Sequence, residues 1–116
     1  MQPIVLNWPG GEHPFRLGIA DLEALQQRTD CGPEHLLNRI NAGQWYLSDL
    51  IQVLRLGLIG GSMPHVQALK MIQGAFEDHP GIAFKVPAQA VLAHCLYGPP
   101  EDQPGEPLPV TPTPED

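Results

Sequence analysis

Three glycines close together, Gly57, Gly60 and Gly61 in "QVLRLGLIGGSMPHVQ", are the first residues whose type and spacing invite chemistry. Glycine-rich turns ahead of a helix can cradle phosphate with backbone N–H groups. A phosphate loop of the Walker kind needs a lysine directly after the last glycine, and the next lysine here is Lys70. The preceding segment reads as helix rather than strand, and the Gly-x-Gly-x-x-Gly spacing of a dinucleotide site is missing. The glycines therefore read as the stop of one helix, through glycine's freedom at positive φ, and the hinge into the next.

The other reactive types are equally scattered. His13, His35, His65, His79 and His94 do not repeat at ligand spacing, and neither CxxC nor HExxH occurs. A structural zinc site needs four such ligands, and Pro33 interrupts Cys31 and His35. His94 and Cys95 are adjacent, but neighbours on a helix point about 100° apart and do not face each other. "EDH", Glu77 to His79, precedes a Pro-Gly break and reads as a solvated turn. Asp21, Glu23 and Glu34 suit helix N-termini. No nucleophile, base and orienting group assemble, so neither an enzyme nor a cofactor is expected.

The elements that would position any site come next. The chain has 116 residues, enough for one modest core. "IVLNWPGGEHPFRL" alternates Ile4, Leu6 and Trp8, turns at "PGGE", and alternates again through Phe15 and Leu17, the pattern of a β-hairpin with one buried face. Helical spacing follows in "IADLEALQQRT" (Ile19, Leu22, Leu25), in "PEHLLNRINAG" with Pro33 in its first turn, and in "YLSDLIQVLRLGLIG" with Ser48 as cap. "MPHVQALKMIQGAFED" is expected to start at a Ser62 cap and to bury Val66, Leu69, Met71, Ile72 and Phe76. "VPAQAVLAHCLYG" closes the series with Val91, Leu92, Cys95 and Leu96, stopping at Gly98. The expected fold is α+β, mainly α: an N-terminal hairpin and about five helices.

Charge divides the chain. Net charge is −7, with all six basic residues and eight acids in residues 1–98. Pro99–Asp116 holds five acids, no base and seven of fourteen prolines. Residues 1–98 are expected to form one small domain and 99–116 an acidic, proline-rich disordered tail. Nucleic acid is not an expected partner, because a basic patch is missing. No run of apolar residues is long enough to span a bilayer, the N-terminus does not resemble a signal peptide, and two cysteines make no disulfide framework, so the expected setting is the cytoplasm.

Trp45 and Tyr46 stand together at a helix entry. They suit a hydrophobic staple onto the core, and they are also the types that anchor partners. The helices carry more apolar stripe than a small core hides, so part of that stripe is expected to meet a partner helix or a second copy.

The "FRL" strand, the "LEAL" helix, the block "SDLIQVLRLGLIGG" and the closing "LYG" come in an order that spans most of residues 4–98, with "VLRLGLIGG" the most telling piece. This order resembles the small tail assembly proteins of gene transfer agents and long-tailed phages, a family described both as tail tube protein and as tail assembly chaperone. The resemblance implies a non-enzymatic chaperone in the bacterial host cytoplasm that binds the tape measure protein, and in turn tail tube subunits, during tail morphogenesis. The alternative it implies is a structural tube or tail-junction component retained in the particle. On the chaperone reading the partner-binding residues are Trp45, Tyr46, Leu50, Leu54, Leu58, Val66, Leu69 and Phe76.

Overall fold

The computed structural model describes residues 1–99; the tail expected over 99–116 lies outside the described residues from position 100 onward. Two strands, β1 (Ile4–Trp8) and β2 (Gly11–Phe15), precede α1 (Ile19–Thr29), α2 (Pro33–Asn41), α3 (Leu47–Gly60), α4 (His65–Asp78), a 3₁₀ turn (Gly81–Phe84) and α5 (Lys85–Tyr97). The hairpin and five helices are those expected from the alternation and the helical spacing.

The strands pair antiparallel, Ile4 with Phe15 through Trp8 with Gly11. Val5 and Asn7 face solvent while Trp8 and Phe15 are buried, as the period of two requires. Gly11 sits at φ +117°, where a side chain would be strained. The Trp8 indole lies over Gly10, and a Cβ there would come within 2.4 Å of the ring. Trp8 Nε1 donates to His13 Nδ1 at 2.9 Å, which satisfies the buried indole N–H.

Helix α3 is the centre of the molecule. It packs against β2, α1, α4 and α5. A helix surrounded on several sides buries apolar residues around most of its circumference, and Leu50, Val53, Leu54, Leu56 and Leu58 are all buried. The aromatic side chains tie the periphery to it. Trp8 meets Phe15 and Phe84 edge-on, at 5.7 and 6.2 Å between centroids, and Phe84 stacks on Phe76 at 3.7 Å.

Four expectations are corrected. Ser48 does not cap α3: Asp49 reaches back to accept the Tyr46 N–H at 2.8 Å, so the cap falls at Tyr46. Ser62 does not cap α4, whose cap is Pro64; Ser62 is in the intervening turn at φ 90°. In α4 the inward stripe is Ala68, Ile72 and Ala75, while Val66 and Leu69 face solvent. Met71 and Phe76 are half-buried beside that stripe.

The fourth concerns the glycines. None of Gly57, Gly60 and Gly61 has positive φ. Their role is close approach. β2 crosses this end of α3 so tightly that a Cβ on Gly60 would lie 1.8 Å from the Arg16 carbonyl oxygen, and one on Gly61 2.2 Å from that of Pro14. The Gly57 carbonyl accepts the Arg16 N–H at 3.0 Å. The glycine run is the seat on which the hairpin rests.

Candidate interaction surface

The sharpest polar feature lies where α2 meets α3. Asp49 is 2% exposed. One oxygen accepts the Tyr46 N–H and the other accepts from Arg39 Nη2 at 2.9 Å. A carboxylate this buried needs such partners, because burying a lone charge is costly. Desolvation opposes the Arg39 charge, but the hydrogen bond and the charge of Asp49 outweigh it and hold the guanidinium above its ordinary pKa. Arg39 also lies over the Tyr46 ring, 5.6 Å from its centroid. The pair thus fixes the entry of α3 and holds Tyr46 outward.

Around this corner the surface is apolar. Tyr46 is 69% exposed and Leu47 48%. The 3₁₀ turn comes up beside them, since a Cβ on Gly81 would lie 3.2 Å from a Leu47 methyl and 3.8 Å from the Trp45 ring. Ile82 and Val86, one turn apart across the start of α5, are 61% and 70% exposed. Trp45 is half-buried against the core, the placement a staple residue requires.

The residues expected to meet a partner separate accordingly. Tyr46, Val66 and Leu69 are on the surface; Trp45 and Phe76 are half-buried. Leu50, Leu54 and Leu58 are enclosed by the hairpin and the other helices, and this removes them from any surface a partner touches. Ile82 and Val86 were not among the expected residues. Ile82 follows a His-Pro-Gly break, and only folding brings its neighbour Gly81 beside Leu47.

The thiols and imidazoles stay apart. Among the described residues no three His, Cys, Asp or Glu side chains gather where they could hold a metal. His94 is buried, and its Nε2 lies 2.7 Å from the Gln2 carbonyl oxygen. Neither Cys31 nor Cys95 is in a disulfide, and burial pushes the Cys95 thiol up. The neutral thiol is therefore favoured in the folded protein. Its contribution to stability is complete below the unfolded thiol's pKa, about 8.5, and is lost as pH rises from there through the folded value. In a Cys31→Ser background, iodoacetamide is expected to alkylate Cys95 more slowly than a free thiol at neutral pH. The rate, followed by mass, should rise with a midpoint above that of the urea-unfolded chain; equal midpoints would contradict the assignment.

A family model described as phage tail tube protein, GTA-gp10, matches residues 3–98. The chain belongs to that family. The match takes in every element from β1 to α5, so family membership and the described fold concern the same residues. No curated protein and no solved structure matches the chain. Among the described residues of this GTA-gp10 family member, no helix is long and apolar enough to cross a membrane.

Proposed function

We propose that the protein is a tail assembly chaperone, a non-enzymatic factor that acts in the host cytoplasm and binds the tape measure protein. The observation that carries this reading is the uncovered apolar corner Tyr46, Leu47, Ile82 and Val86 on an otherwise helical body. A tape measure helix exposes a long apolar stripe that would aggregate if left alone. A small helical protein can cover part of that stripe side by side. Many copies along one filament supply the affinity that each lacks singly, so each can be displaced as tube subunits arrive. The acidic balance of the chain keeps such a coated filament soluble.

The family's description favours a second reading, a tube subunit retained in the particle. Rings built by sheet extension need more strand than the one two-stranded sheet among the described residues supplies.

Co-expression with the tape measure gene separates the two. The chaperone reading expects the tape measure to stay in the soluble lysate and the protein to be depleted from finished tails. Leu47→Glu with Val86→Glu should send the tape measure to the pellet without changing the thermal melt of the protein. Stoichiometric protein in purified tails would sink this reading in favour of the tube.

A further inference from the structure

The two edges of the hairpin are treated differently. The Arg16 N–H points away from β1, to the Gly57 carbonyl at 3.0 Å. Backbone direction alternates along a strand. Pro14 and Glu12 therefore also direct their backbone groups outward from β2, and Gly11, His13 and Phe15 bond to β1. That outward edge is closed from Pro14 to Arg16. Pro14 has no N–H to offer, and its carbonyl lies against Gly61, just past the end of α3.

By the same alternation Ile4, Leu6 and Trp8 bond to β2, and Val5 and Asn7 direct one N–H and one C=O each away from it. Among the described residues neither makes any hydrogen bond beyond the hairpin. Both are exposed, Val5 at 61%. Natural edge strands are ordinarily blunted by charge, proline or a covering element. β1 contains no charged residue and no proline, and Met1 to Gly11 contains no charged side chain at all in a chain of net charge −7.

We propose that the β1 edge pairs with the β1 edge of a second copy, antiparallel about a twofold axis at Leu6. Val5 of each copy then exchanges both backbone bonds with Asn7 of the other. Leu6 faces its own counterpart in the closely spaced pair between them. Ile4 and Leu6, only half-buried in the single chain, gain cover on the inner face. The twofold register selects this occupant: about Leu6, the Val5 and Asn7 of a second copy supply a partner for every backbone group this edge directs outward, and neither edge carries a charged side chain. The joined sheet has four strands, beyond the two that are marginal alone. The contact is far smaller than a standard interface, so the dimer is weak and concentration-dependent. This inference does not depend on the chaperone reading.

Sedimentation of the full chain over a wide concentration range tests it. The mass should rise from monomer to dimer with concentration. Val5→Pro removes only an outward N–H, so the hairpin ladder is kept; the dimer should weaken by at least about thirtyfold, from the bonds lost in both copies. Amide exchange of the unaltered protein gives an independent reading, free of any folding defect in the variant: protection at Val5 and Asn7 should grow with concentration. A monomer throughout would overturn the proposal. So would a dimer in which those two amides exchange as freely as in dilute solution.

Discussion

Gly60→Ala is expected to destabilise the protein by about 3 kcal/mol, the upper end of the loss that follows when a packed contact is overfilled. The added Cβ would sit 1.8 Å from the Arg16 carbonyl oxygen, with Asp21 Oδ2 at 2.6 Å. The Asp21 side chain can turn aside, at the expense of its bond to the Gly18 N–H. The Arg16 carbonyl belongs to the backbone that leaves β2 and cannot move without lifting the hairpin from α3. Native domains are stable by only ~5–15 kcal/mol, so a large part of the total would be lost. Gly74→Ala is the matched comparison. Gly74 lies in α4 with nothing near its missing Cβ, and alanine there should stabilise by up to about 1 kcal/mol through helix propensity. Urea denaturation followed by circular dichroism measures both. Equal effects at the two positions would show that the hairpin does not rest on the glycines as described.

Asp49→Ala is expected to lower stability by about 3 kcal/mol or more. The substitution removes the acceptor for the Tyr46 N–H at the start of α3 and leaves Arg39 without its counter-charge. The Arg39 side chain keeps 20% of its exposure, so water can take up part of the orphaned charge. That places the loss toward the lower end of the range for broken buried pairs. Asp49→Asn keeps an acceptor oxygen for the Tyr46 N–H and should cost less than the alanine variant. A double-mutant cycle with Arg39→Met isolates the pair: its coupling energy should exceed the ~1 kcal/mol of a surface ion pair. A coupling near zero would leave Asp49 as a helix cap only.

The stretch "LGLIGG" correctly marked the end of α3. Glycine at a helix end points first to positive φ, but the constraint here comes from the Pro14 and Arg16 backbone, far earlier in the chain. Serine is a frequent helix cap, which points to Ser48 and Ser62. Asp49 displaced Ser48 because its side chain can accept the Tyr46 N–H and still reach Arg39 on another helix, and no local pattern contains that second partner.

The sequence by itself determined the order and kind of the elements, since alternation along the strands and helical spacing are properties of neighbouring residues. It determined the family as well, because that match lies in the order of residues. Which faces are covered was decided only by the tertiary structure. Leu50, Leu54 and Leu58 have the same helical spacing as an exposed stripe, yet the hairpin and three helices enclose them. Val66 and Leu69 look equally fit for a core, yet α4 turns its alanines inward. The apolar corner at Tyr46, Leu47, Ile82 and Val86 and the open edge of β1 belong to the same class. Burial is a relation between distant segments, and periodicity reports that a face is apolar without reporting what comes to cover it.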